Sequence, residues 1–189
     1  LAGVSASQVE IQSGIQFYDG ISTAEIQEIL IRSASDLIDL DHPNYQFVAA
    51  RLLLFSLRKN LFGRIHEIPT VKNHVIDCVN KKIYDAEILN SYSDEEFVKL
   101  QGFIDHDRDY LFTYAGLRQV VDKYLVQDRS SDKLFETPQF MYLLISATIF
   151  SKYPKDVRLD YVKRYYDAIS KHKINIPTPI MAGVRTPLR

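Results

Sequence analysis

The chain has 189 residues, with 23 Lys and Arg against 24 Asp and Glu, for a formal net charge of −1 at pH 7. This balance disfavours a nucleic-acid partner, because such binding needs an excess of basic residues gathered on one face. Hydrophobic residues make up 46% of the chain and charged residues 25%, so the composition excludes a disordered protein and is typical of a globular one.

The expected cellular context follows from cysteine and apolar content. Cys78 is the single cysteine and can form no intrachain disulfide, which favours a reducing compartment such as the cytoplasm. No apolar run approaches the roughly 18 residues of a membrane span, and the first residues lack the basic-then-apolar order of a signal peptide. We therefore expect a cytoplasmic protein with no membrane partner.

The first half of the chain predicts two long helices. The capping box Ser22-Thr-Ala-Glu25 begins the first, because its hydroxyl and carboxylate bond the free amides of the opening turn. This helix is predicted to end near Pro43, which pushes the preceding residue out of the helical conformation. Over residues 44–62, apolar residues on nearly every side indicate a helix in the middle of a helical assembly. Gly63 can provide its C-terminal stop.

The second half predicts shorter helices around one hairpin. The helices are expected over residues 71–80, after a second capping box at Ser93-Asp-Glu-Glu96, over 113–123, over 138–150, and after Pro154. Residues 124–127 and 133–136 read as the strands of a small β-hairpin around the polar turn 128–132. In the last helix, a buried apolar stripe is predicted to comprise Val157, Tyr161, Tyr165 and Ile169.

The C-terminal residues 174–189 are punctuated by proline and are predicted to be extended and strand-like up to Arg189. With only seven glycines and seven prolines in the whole chain, long helices are favoured over a many-stranded architecture. The predicted fold class is therefore mainly α: a helical domain with one small β-hairpin and an extended C-terminal segment.

Several polar groups in the sequence have an ordinary structural explanation. His66, His74 and Cys78 lack metal-ligand spacing, so no metal site is predicted. Cys78 lies on an apolar helix with no base beside it, which favours a buried, unreactive thiol. The cluster Asp105-His-Asp-Arg-Asp109 could serve acid–base chemistry, but it is more typical of a helix start in which the arginine pairs with a neighbour.

Two features point beyond plain structure. Arg58 and Lys59 end one predicted helix while Thr23 opens another, and cations, a hydroxyl and a helix N-terminus are the ingredients of a phosphate site. In Pro177-Thr-Pro179, the two prolines hold Thr178 extended, and Gly183 allows a close backbone approach. This second segment could present a hydroxyl and amides to a phosphate, or it could be an edge strand.

At this point the chain resembles a known family. It is similar to the N-terminal portion of the large (α) chain of class Ia ribonucleotide reductase, on motifs that occur in the same order: Ile15-Gln-Phe-Tyr-Asp-Gly20, Tyr45-Gln-Phe-Val-Ala-Ala-Arg51, Leu57-Arg-Lys59, Tyr124-Leu-Val126, Ile104-Asp-His-Asp-Arg-Asp109, Arg164-Tyr-Tyr-Asp-Ala168 and Pro177-Thr-Pro-Ile-Met-Ala-Gly-Val-Arg-Thr-Pro187. The resemblance covers nearly the whole chain.

The resemblance implies a role in deoxyribonucleotide synthesis. The family reduces ribonucleoside diphosphates with a radical from a diiron-tyrosyl small (β) subunit, and thioredoxin or glutaredoxin restores its cysteines. The large chain forms a homodimer that ATP activates and dATP inhibits. This chain would be a fragment with no cofactor of its own and no catalytic residue, because Cys78 is not the counterpart of a family redox cysteine. The implied division is a partial ATP cone over 1–63, a helical domain over 64–173 and the start of the catalytic barrel over 174–189.

The resemblance also implies specific site residues. Thr23 and Lys59 match family positions that contact the ATP or dATP effector, although Gln27 and Ser56 stand where well-known members have histidines. Thr178 matches a residue at the substrate diphosphate, whereas Arg185 is expected to be structural. The alternative to an enzyme part is a non-enzymatic helical module that serves regulation or interaction.

Overall fold

A computed structural model describes residues 1–128 and 130–187. These residues form ten α-helices and one two-stranded antiparallel sheet, so the mainly-α prediction is confirmed. In chain order the helices are α1 (Ala6–Gly14), α2 (Thr23–Asp36), α3 (Tyr45–Phe62), α4 (Val71–Asn80), α5 (Glu87–Ser91), α6 (Asp94–Phe103), α7 (Tyr114–Lys123), α8 (Pro138–Ile149), α9 (Arg158–Ser170) and α10 (Thr178–Gly183). A 3₁₀ helix, His106–Leu111, precedes α7, and the strands are β1 (Gln127–Asp128) and β2 (Lys133–Leu134).

Local signals in the sequence account for many helix ends. Both capping boxes form as predicted, with the Ser22 and Ser93 hydroxyls each accepting a hydrogen bond from the backbone amide three residues later. Gly63 ends α3 with φ of 75°, a left-handed conformation that favours glycine. Helix α2 ends at Asp36, earlier than expected, and a separate turn follows in which Asp39 accepts a hydrogen bond from the His42 amide over 2.6 Å.

Helix α1 has no such signal and is not predicted. Ser5 precedes it but makes no side-chain cap, and the helix buries only Val9 and Ser13. With so narrow a buried face, its residues show no clear apolar periodicity. Helix α1 packs on α2, and its Val9 joins a small buried cluster there.

Two helices organise the core. Helix α3 packs between α2 on one side and α7 and the 3₁₀ helix on the other, in line with its predicted place in the middle of the assembly. Helix α8 is more completely enclosed, since every residue from Pro138 to Ala147 is buried. It contacts α9, α10 and the 3₁₀ helix, so the main hydrophobic core is built around it.

The buried stripe of α9 differs from the prediction. Val162, Tyr166 and Ile169 face the core, whereas Val157 and Tyr161 are exposed. Tyr161 instead joins an aromatic cluster outside the core, where its ring stacks on that of Phe150 at 5.6 Å between centroids. Both sets of residues have helical spacing, so periodicity alone did not decide which one meets α8.

The predicted hairpin forms, with shorter strands than expected. Gln127 pairs with Leu134 and Asp128 with Lys133. The turn prediction over 128–132 includes Arg129, which lies outside the described residues. Within the described part of the turn, the Asp128 carboxylate accepts hydrogen bonds from the side chains of Ser130 and Ser131.

The C-terminal prediction of an extended segment needs correction. Residues 175–177 carry no regular secondary structure and Pro177 is extended, but α10 follows at once from Thr178. Prolines are tolerated in the first turn of a helix, where the missing amide would have no intrahelical acceptor. Pro179 therefore fits the start of α10 as well as it would fit an edge strand. The predicted end at Arg189 lies outside the described residues.

Candidate functional site

Thr23 and Lys59 lie at the same end of an antiparallel helix pair. Gln27 on α2 donates from Nε2 to the carbonyl oxygen of Leu52 on α3 over 3.0 Å. Ala34, near the end of α2, packs with residues at the start of α3. The two helices therefore run antiparallel, and their register brings the first residue of α2 to the end of α3 that carries Lys59.

This end of the helix pair is exposed and polar. Both Thr23 and Lys59 are exposed. Glu25 accepts hydrogen bonds from the Ser22 hydroxyl over 2.7 Å and from the Tyr18 hydroxyl over 2.9 Å. These hydrogen bonds lower the pKa of the Glu25 carboxyl. The largest effect comes from the Ser22 hydroxyl, followed by the Ser22 amide and the Tyr18 hydroxyl. This end of the helix pair therefore carries a cation, a hydroxyl and the first amides of α2, which are groups that bind anions, together with the Glu25 carboxylate at the same helix start.

Arg58 does not belong to this exposed group, although the sequence placed it beside Lys59. Its guanidinium is buried and donates to an Asp109 carboxylate oxygen over 3.1 Å and to the carbonyl oxygen of His106 over 2.8 Å. It also lies over the ring of Tyr110, 5.7 Å from the centroid. Arg58 therefore ties the end of α3 to the 3₁₀ helix and is not available to a phosphate at the surface.

The polar cluster 105–109 begins a helix in which the arginine pairs with a neighbour, in agreement with the favoured interpretation. The Asp105 carboxylate accepts from the Asp107 amide at the start of the 3₁₀ helix and pairs with Arg108 at 3.2 Å. The full burial of Asp109 is a further finding that spacing did not predict. Burial raises the pKa of the Asp109 carboxyl to about 6, although the hydrogen bond from Gln139 and the positive charge of Arg58 act to lower it.

Thr178 is placed on a different element, α10, which packs against α8. It is exposed and is the first residue of that helix, so its amide is one of the free donors of the opening turn. Gly183, expected to allow a close backbone approach, ends α10 with open space where a Cβ would be. Arg185, expected to be structural, is almost wholly buried in an ion pair with Glu136, a residue that sequence reasoning did not single out.

Cys78 and His74 are neighbours in a buried aromatic region. The Cys78 sulfur lies 3.9 Å from His74 Nε2, and the His74 ring stacks on Phe140 at 3.9 Å between centroids. Burial raises the pKa of the Cys78 thiol to about 12 and lowers the pKa of His74 to about 4. A protonated thiol beside a neutral imidazole agrees with the predicted unreactive cysteine.

The described residues contain neither a metal-ligand cluster nor a membrane-spanning helix. In residues 1–128 and 130–187, no group of three or more His, Cys, Asp or Glu side chains is arranged to hold a metal ion. Over the same ranges, none of the helices has the length and apolar character that crossing a membrane requires.

His106 makes the stability of the protein sensitive to acid. Burial, with a smaller contribution from Arg58, lowers its pKa from 6.5 to about 4. Between these two pKa values, His106 binds a proton in the unfolded chain but not in the folded protein. The free energy of unfolding therefore decreases as the pH falls from 6.5 towards 4. The buried Nδ1 of His106 has no hydrogen-bond partner among the described residues, so no hydrogen bond at that atom offsets the cost of protonating the buried imidazole.

We expect His106→Phe to reduce this acid sensitivity. The difference in free energy of unfolding between pH 7 and about pH 4.5, measured by urea denaturation, should become smaller than in the parent chain, because one titrating group is lost. His66→Phe is the matched control, since His66 is exposed and should leave the difference unchanged. An unaltered difference in His106→Phe would contradict the assignment.

The chain is similar in sequence to known proteins along its whole length. Residues 3–60 match the ATP cone domain family, and residues 110–189 match the family described as ribonucleotide reductase, all-alpha domain. The chain is 52% identical over all of its 189 residues to the ribonucleoside-diphosphate reductase 1 subunit alpha of Escherichia coli K12. The chain belongs to the ribonucleotide reductase alpha-subunit family.

Two other relatives extend the comparison within the ribonucleotide reductase family. The ribonucleoside-diphosphate reductase alpha subunit of Haemophilus influenzae is 53% identical over the whole chain, and that of enterobacteria phage T4 is 43% identical over 99% of it. The chain spans 25% of the length of each of these relatives. The resemblance inferred from the ordered motifs is thereby confirmed. The ATP cone match contains α1, α2 and nearly all of α3, including Thr23 and Lys59.

Proposed function

We propose that this chain supplies part of the ATP and dATP site that regulates a ribonucleoside-diphosphate reductase. The observation that carries the proposal is the antiparallel pairing of α2 and α3, which puts Thr23 and Lys59 at one exposed end of the region matching the ATP cone domain. Lys59 would neutralise phosphate charge, and Thr23 would donate its hydroxyl to a phosphate oxygen. Gln27 would contact the effector differently from a histidine, because its amide already donates to the carbonyl oxygen of Leu52.

The wider role follows from the family and is also a proposal. The chain would act within a cytoplasmic alpha-subunit homodimer that reduces ribonucleoside diphosphates to deoxyribonucleoside diphosphates. A small subunit with a diiron-tyrosyl radical would start the reaction, and thioredoxin or glutaredoxin would restore the reductant. Thr178 would contact the substrate diphosphate from the first turn of α10. The regions would be a partial ATP cone over 1–63, a helical domain over 64–173 and the beginning of the barrel over 174–189.

Calorimetric titration of the 189-residue chain with ATP and dATP tests the effector site. We expect binding of both nucleotides, and a loss of at least about tenfold in affinity in Lys59→Ala, since a charge-assisted contact to phosphate is removed. Lys99→Ala is the control, because Lys99 is equally exposed but lies on α6. Equal losses of affinity in the two variants would refute the proposed site.

A further inference from the structure

Arg185 connects α10 and three other parts of the fold. Its guanidinium is almost wholly buried and forms an ion pair with Glu136. It donates from Nη1 to the carbonyl oxygen of Met181 in α10 over 2.6 Å, and from Nη2 to that of Tyr124 beside the hairpin over 3.1 Å. The backbone carbonyl of Arg185 accepts from the Asp85 amide over 3.0 Å.

Glu136 is the acceptor at the centre of this network. Besides Arg185, its two carboxylate oxygens accept from the Val126 amide over 2.8 Å and from the Tyr84 hydroxyl over 2.6 Å. The Tyr84 hydroxyl also lies 3.0 Å from Nε2 of His74. A buried ion pair whose donors and acceptors are matched in this way holds one geometry, since any shift leaves a charge unpaired in the core.

The attachment of helix α10 to this network adds to its limited packing. It has six residues, and none of them is buried. A single helical turn of this length is not stable by itself in water. Its side chains Ile180 and Met181, and Val184 directly after it, are half-buried and pack against the main core. The hydrogen bond from Arg185 to the Met181 carbonyl therefore ties the last turn of α10 directly to Glu136 and the core.

We propose that Arg185 and Glu136 are positioning residues for the substrate diphosphate: they fix α10 so that the exposed hydroxyl of Thr178 is held in one place. This inference rests on the proposed function of Thr178. It adds that this ion pair, although both of its side chains are buried, controls how well Thr178 binds a phosphate.

Two measurements test the inference. The first is amide hydrogen exchange of the 189-residue chain, in which the Met181 and Val184 amides bond to carbonyls of the preceding turn. Arg185→Lys should speed their exchange at least about tenfold, because lysine keeps the charge but cannot supply the planar set of donors. Helices α2 and α3 should be unaffected. Glu136→Gln should act in the same way.

The second measurement is steady-state kinetics of an alpha subunit in which this chain replaces the matching residues of the Escherichia coli relative, assayed with its small subunit. Arg185→Lys should raise KM for the nucleoside diphosphate about tenfold, with a smaller effect on kcat. Arg158→Lys is the control for both measurements, because Arg158 also forms a largely buried pair, with Glu96, on helices that do not include α10.

The outcomes separate the inference from the function on which it rests. Unchanged exchange at Met181 and Val184 in Arg185→Lys, or an equal rise in KM in Arg158→Lys, would overturn the positioning role. If Thr178→Ala leaves KM unchanged while Arg185→Lys speeds exchange, the substrate role of Thr178 fails and so does the functional half of the inference. Faster exchange, a raised KM in Arg185→Lys and a raised KM in Thr178→Ala together support it.

Discussion

Arg58→Met is expected to lower the free energy of unfolding by about 3–5 kcal/mol at pH 7.5, because it leaves the buried Asp109 carboxylate without its cation. The guanidinium and the carboxylate are both almost fully buried, so water cannot replace the lost partner. The carbonyl oxygen of His106 loses a donor as well. Urea denaturation followed by circular dichroism measures the change.

The same substitution should depend on pH in a defined direction. The pKa of Asp109 is already raised to about 6 by burial, and removing Arg58 should raise it further. At pH 5 the carboxyl of the variant is then protonated and no uncompensated charge remains, so the loss of stability should be smaller than at pH 7.5.

Arg51→Met is the matched control for Arg58→Met. Arg51 lies on the same helix and over the same Tyr110 ring, at 5.6 Å from the centroid, but it is exposed. We expect a change within about 0.5 kcal/mol. An Arg58→Met loss that is the same at both pH values would contradict the assignment to the Asp109 charge.

Phe140→Ala is expected to cost about 3–5 kcal/mol, as for other large aromatic residues removed from a core. The Phe140 ring is completely buried on α8, where it stacks on His74 and meets the rings of Phe62 and His106 at 6.3 and 5.2 Å between centroids. Val98→Ala provides the contrast, because Val98 is 73% exposed and should change stability by less than about 0.5 kcal/mol.

A second readout separates a cavity at Phe140 from a general loss of structure. The pKa of His74 is about 4 because the imidazole is buried. If Phe140→Ala opens the site to water, the pKa of His74 should rise towards 6.5, which an NMR titration of the imidazole detects. A destabilised variant with an unchanged His74 pKa would indicate that the core closes over the cavity.

The sequence predicted those helix ends that are determined by interactions within a few residues of the chain. The Ser22 and Ser93 capping boxes and the Gly63 stop act through hydrogen bonds and dihedral angles within a few residues, so they can be read directly. Helix α4 begins and ends where its periodicity predicts. The candidate effector residues Thr23 and Lys59 likewise stand at predicted helix ends, and their assignment to an effector came from the family resemblance.

What the sequence by itself determined about this protein is its helical class, many of its helix ends and the family to which it belongs. Tertiary structure alone decided that Arg58 turns inward to Asp109 while Lys59 stays exposed, and that Glu136 meets Arg185 across 49 residues of chain. It also decided which face of α9 is buried and that part of the proline-rich C-terminal segment forms the helix α10. The physical reason is that a buried charge must find its partner through the packed core, whereas a cap or a turn finds it within the same turn of the chain.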